Sequence, residues 1–196
     1  MADPYGIHAL PLTPLALAPL PLGAVEPRGW LLNQLRLQAD GLSGHLDEFW
    51  PDLGPDNLWL GGHREGWERG PYYADGLVPL AWLVKDPLLQ AKARKWVEAF
   101  LQFQDDRGWI GPVQAPGRTS YDVWPVMVVM KALTQYHEAT GDPKVLPTMT
   151  RFCAWLRHHL SEHPLHTWGA SRWAELVLCI YWLYRRTGAH WVLEVA

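Results

Sequence analysis

Three stretches of this chain are apolar on every side when wound as a helix: LVPLAWLV at 77–84, VWPVMVVMKAL at 123–133 and ELVLCIYWLYRRTG at 175–188. A helix with no polar face must be covered all round, so these three belong in an inner layer. Each is followed by a segment of opposite character. In DPLLQAKARKWVEAFLQFQ, Leu89, Trp96, Val97, Phe100 and Leu101 share one face, with Lys92, Arg94, Lys95 and Glu98 mostly opposite. KVLPTMTRFCAWLRHHL sets Leu146, Met149, Phe152, Cys153, Leu156 and Leu160 in register, and AHWVLEVA reads as the opening of a third amphipathic partner. Amphipathic helices keep a wet side, so the alternation predicts inner and outer layers joined as consecutive hairpins. Two all-α architectures satisfy it, an open solenoid and a closed toroid.

The punctuation between helices repeats as well. In ATGDPKVL, Gly141 suits a helix C-terminus, Asp142 an N-cap and Pro143 a first helical position. TGAHWVL recurs 47 residues later and VKDPLL stands 56 residues earlier, a degenerate repeat of one helical hairpin. Upstream, residues 27–42 read as an amphipathic helix in which Trp30, Leu31, Leu35 and Leu42 can share a broad face. The stretch GLSGHLDEFWPDLGPDNLWLGGHREG, rich in Gly, Pro and Asp, reads as a long loop of a length that is often functional. The domain plan is therefore an extended segment over 1–25 and a helical-hairpin domain over 26–196.

Just before each inner helix the sequence turns polar and aromatic: GWERGPYYADG, GRTSYDVWP and HTWGASRWAE. Parallel inner helices would gather these three segments at one rim. The residues they bring are Trp67, Glu68, Arg69, Tyr73 and Asp75; Arg118, Ser120, Tyr121, Asp122 and Trp124; and His166, Trp168, Arg172, Trp173 and Glu175. Aromatic faces stack on the C–H faces of sugars, while carboxylates and guanidinium groups meet hydroxyls with charge-assisted hydrogen bonds. Paired carboxylates can also cleave a glycosidic bond. The competing account is structural: Asp75, Asp122 and Glu175 stand near helix starts, where an acid caps free N–H groups, and Arg69 and Arg172 pair with them.

Composition narrows the remaining classes. The 196 residues carry a formal net charge of -3, against the basic face that nucleic acid requires. The apolar N-terminus lacks a basic leader region and is broken by prolines, so it reads as neither a signal peptide nor a membrane span, and a cytoplasmic location is expected. Cys153 and Cys179 fall inside apolar helical patterns and read as small core residues. His158, His159, His163 and His166 have no acid or cysteine completing a zinc pattern, and read as a solvated helix end. The chain contains no phosphate loop and no nucleophile elbow.

Taken together, PLGAVEPRGWLLNQLRLQADGLSGHLDEFWPDLG, WERGPYYADGLVPLAWL, DDRGWIGP, SYDVW and YHEATGD resemble the beta-L-arabinofuranosidase-like proteins, glycoside hydrolase family 127 and its relatives, from about residue 20 onward. The resemblance implies an (α/α)6 toroid whose cavity binds a sugar, of which this chain supplies a partial ring. Characterised members use a glutamate acid/base and a cysteine nucleophile held on a largely cysteine-built zinc site. Those motifs lie in the later half of the family's barrel, and Cys153 and Cys179 match none of them, so neither zinc nor a catalytic residue is expected from this chain. Where arabinofuranosidase members tend to carry a His–acid pair, this sequence reads Tyr121–Asp122. Six hairpins at the observed spacing need roughly 300 residues. The expectation is thus a carbohydrate-binding half-barrel, inactive by itself or completed by a second copy or another chain. Two readings from other classes stand beside it. One is a helical-repeat module binding a glycan or peptide without chemistry; the other is a sugar isomerase or lyase with His166 as base.

Overall fold

A computed structural model describes residues 12–13, 16–17, 19–113 and 121–196, and among these the chain is helical with no strand. The α-helices are α1 (Gly29–Asp40), α2 (Leu42–Phe49), α3 (Arg69–Val84), α4 (Pro87–Gln102), α5 (Val123–Thr140), α6 (Val145–Glu162) and α7 (Thr167–Thr187). Short 3-10 turns follow at Pro51–Leu53, Leu58–Leu60 and His190–Val195. The fold is the all-α hairpin arrangement that the apolar alternation requires. α3 packs on α5 and α5 on α7 as an inner layer, with α4 and α6 behind it.

The burial pattern explains the layering. Every residue of α5 from Val123 to Met130 is buried, whereas α4 buries only Leu89, Ala93, Trp96, Val97 and Phe100. At about 1.5–3 kcal/mol for each large apolar side chain removed from water, α5 alone would strand much of the folding free energy if it lay at the surface. Helix ends follow local chemistry. Asp86 caps α4, accepting from Leu88 N at 2.7 Å and Leu89 N at 3.1 Å, with Pro87 in the first helical position. Gly141 and Gly188 close α5 and α7 in the left-handed region, at φ 68° and 67°, where a side chain would be strained. Asp142 accepts from Lys144 N at 2.9 Å, so α6 begins at Val145, slightly later than Asp142 and Pro143 alone suggest.

Three sequence expectations need correction. The stretch after residue 41 is not one long loop, because HLDEF continues a short helix, α2, before Pro51 turns the chain. The polar segments taken as preceding the first and third inner helices are themselves helical: α3 begins at Arg69 and α7 at Thr167. Pro71 sits in the first turn of α3, where its missing N–H costs nothing, so it starts that helix rather than preventing it. The segment read as the opening of the third amphipathic partner forms a 3-10 turn, His190–Val195, rather than an α-helix, and packs on α6 and α7. The N-terminal segment falls largely outside the described residues, as do Arg118 and Ser120.

α1 runs antiparallel to α3. Glu26, just before α1, pairs with Lys85, just after α3, and the far end of α1 reaches the level of the first turns of α3. No helix among the described residues is long and apolar enough to cross a membrane.

Candidate functional site: a rim of helix starts and an adjoining cavity

The starts of α3, α5 and α7 converge on one indole. Trp124, at the head of α5 and 1% exposed, donates its Nε1–H to the Glu68 carboxylate at 2.6 Å. A second bond runs in the opposite sense, from Trp67 Nε1 to Asp122 Oδ2 at 2.9 Å. Asp122 also caps α5 through Trp124 N at 3.1 Å. The Arg172 guanidinium of α7 lies over the Trp124 ring at 5.4 Å, and Tyr72 meets that ring edge-on at 6.0 Å. A buried indole N–H needs an acceptor, and a carboxylate is a strong one. The two partners of each bond stand 55 and 56 residues apart, so the hairpin repeat brings them together.

Beside this rim lies an open cavity of about 440 Å³ bordered by α2, α3 and the end of α1. Part of its lining is polar and aromatic: Glu68, Arg69 and Tyr72 come from the head of α3, and Trp50 from the end of α2. The Arg69 guanidinium rests over the Trp50 ring at 5.3 Å and pairs with Asp52. The rest of the lining is mostly apolar, with Leu42 and Leu46 from α2, Leu53 from the turn after it, and Leu77 and Leu80 from α3. The turn that feeds Glu68 and Arg69 into α3 is braced by Glu65, whose carboxylate accepts from Trp67 N at 2.9 Å. Burial pushes the Glu65 carboxyl up from its ordinary pKa despite these hydrogen bonds.

The other sequence-identified residues separate by surroundings. Tyr73 touches the cavity wall, but its hydroxyl donates to Asp47 at 2.9 Å, within a cluster where Lys92 bonds Asp47 at 3.0 Å and Glu48 at 2.6 Å. Burial and that carboxylate raise the Tyr73 phenol well above the ordinary range. Asp75 is turned toward α5, where it meets Lys131 at 3.0 Å and Gln135. Burial opposes the charge on Lys131, but the Asp75 hydrogen bond and nearby Glu175 hold its pKa above the ordinary value. Glu175 lies 3.8 Å from Arg172. Tyr121 faces the outer layer, with ring centroids 5.2 Å from Trp109 and 5.3 Å from Trp155, and bonds Arg107. Trp168 is half exposed at the head of α7, while Trp109 is a core residue at 2% exposure.

The resemblance drawn from the sequence implies a thiolate on zinc, and the setting of the two cysteines opposes that role. Cys153 and Cys179 are buried free thiols, each pushed up to about 12 by burial. A zinc ligand or nucleophile must be a thiolate, which this apolar setting opposes. Among the described residues no group of three or more His, Cys, Asp or Glu side chains is placed to hold a metal.

Sequence reasoning missed Trp50 and Leu46, because they lie in the stretch read as a loop. The FW pair before Pro51, at the end of a short apolar-polar alternation, was the available signal. Residues 60–196 match the family model described as beta-L-arabinofuranosidase, GH127 catalytic domain. No curated protein and no solved structure matches the chain.

Proposed function

The chain belongs to the beta-L-arabinofuranosidase, GH127 catalytic-domain family, and from that membership we propose that it forms the sugar-holding wall of a glycoside-hydrolase-type site. Its function is carbohydrate-related and glycoside-hydrolase-like. In this reading Trp50 and Tyr72 offer faces for sugar C–H groups, while Glu68 and Arg69 meet hydroxyls. The observation that carries it is that these four side chains, from two separate helices, border one cavity. The acid/base, the nucleophile and any zinc are assigned to residues other than Cys153 and Cys179, whose burial keeps them as thiols.

Calorimetric titration with methyl β-L-arabinofuranoside tests the reading. Binding is expected, weakened at least tenfold by Arg69→Ala and by Tyr72→Ala, with no hydrolysis by the chain alone. Absence of binding at millimolar sugar would remove the sugar-wall reading. Turnover by the isolated chain would instead show that it carries its own catalytic groups.

A further inference from the structure

The cavity walls divide along the axis of α3. Glu68 and Arg69 stand at the head of the helix, whereas Leu77 and Leu80 lie two to three turns further on. At about 1.5 Å of rise per residue, Leu80 is roughly 16 Å from Arg69 along that axis. Opposite, α2 and the turn after it contribute Leu42, Leu46 and Leu53, and the remaining polar lining is Gln38 and Ser43. A sugar ring carries hydroxyls around its whole edge, and a hydroxyl buried against leucine without a partner is costly. The hydroxylated ring therefore belongs at the Glu68–Arg69 end, and the leucine-walled remainder needs an apolar group. At about 440 Å³, the cavity exceeds the needs of a minimal site and falls in the range of about 300–1,000 Å³ usual for small-molecule pockets.

We infer that the cavity takes a sugar bearing an apolar substituent, an alkyl or aryl glycoside, with the sugar at Glu68 and Arg69 and the substituent lying over Gly76 toward Leu42 and Leu46 of α2. This rests on the sugar-wall reading and adds the chemical class of the aglycone. Gly76 marks the path. It lines the cavity within α3, and a Cβ added there meets nothing within 4 Å, so a larger side chain at this position would occupy the space assigned to the substituent.

The test is a calorimetric series of methyl, propyl and hexyl β-L-arabinofuranosides, with 1-hexanol as the sugar-free probe. Each added methylene is expected to raise affinity about two- to fourfold, the value of a CH₂ transferred from water. Gly76→Leu, which also improves helix propensity, is expected to flatten the series, so that the hexyl glycoside gains little over the methyl one. Its folding is checked by helical circular dichroism and thermal melting. A series with no dependence on chain length would overturn the aglycone inference and leave the sugar wall intact. If 1-hexanol bound as tightly as hexyl glycoside, or if no glycoside bound at all, both readings would fall. A length dependence unaltered by Gly76→Leu would place the substituent elsewhere and overturn the inference.

Discussion

The indole of Trp124 donates to the Glu68 carboxylate at 2.6 Å, so an acid at the head of α3 is held by a residue at the head of α5. The bond from Trp67 to Asp122 makes the connection reciprocal. An acid that would serve a ligand is thus part of the joint between two inner helices. Removing it leaves a buried indole N–H without an acceptor, a loss of about 1–3 kcal/mol. Glu68→Ala should lower urea stability by that amount, and Glu68→Gln, which keeps a carbonyl acceptor, by less than half as much. Equal stability of wild type and Glu68→Ala would show that this bond does not join the helices.

Cys153 and Cys179 give a chemical prediction. With both thiols pushed up to about 12 and buried, little thiolate exists at pH 8, and access is closed. Ellman's reagent should leave both unreacted in the native protein over many minutes and titrate two thiols in guanidinium chloride. Fast reaction of either thiol in the native state would reopen it as a nucleophile or metal ligand.

The inner layer was legible in the sequence because a helix without a wet face is a local, compositional property. VWPVMVVMKAL could only be buried. α2 was not legible, since Gly, Pro and Asp on both sides of HLDEF signal a loop, and packing of Leu46 against the core overrides that signal. The starts of α3 and α7 were read late because Gly70, Pro71 and Gly169 look like breakers, yet first-turn and close-packed positions tolerate them. Glu68 and Arg69 stood out as candidates because a charged and aromatic segment recurs before each inner helix. Their division of labour was not visible, because whether an acid faces a ligand or a neighbouring helix depends on contacts made across 56 residues. Asp75 illustrates this, its carboxylate being engaged by Lys131 on α5.

His137 and His159 set an acid limit on stability. Burial lowers both pKa values below the ordinary 6.5. For His137, Arg186 adds to the lowering while Glu138 and Asp142 oppose it. For His159, which stacks on Trp155 at 4.4 Å and also meets Tyr121, the charges of His163 and His166 add to it and Glu162 opposes it. The unfolded state therefore binds more protons. The stability these groups contribute is complete above pH 6.5 and is lost as pH falls through their lowered folded values. The urea midpoint should drop between pH 7.5 and 5.5, and drop less in the His137→Gln, His159→Gln double variant. Imidazole NMR titrations with midpoints at or above 6.5 would contradict this.

The edges of the layer predict self-association. α3 is covered by α5 and α5 by α7, whereas α7 presents Trp173 at 52% and Leu178 at 70% exposure. At the other end α1 presents Trp30 at 77% and Leu37 at 66%, seven residues apart and so on one face. Exposed apolar surface favours association where it gathers into a patch. Sedimentation equilibrium at micromolar concentrations should give a mass above the monomer's. The Trp173→Glu, Leu178→Glu double variant should shift it toward the monomer while helical content stays unchanged, because neither side chain contributes to the buried core. A monomer at high concentration that binds no hydrophobic dye would show that these faces are stable in water as they stand.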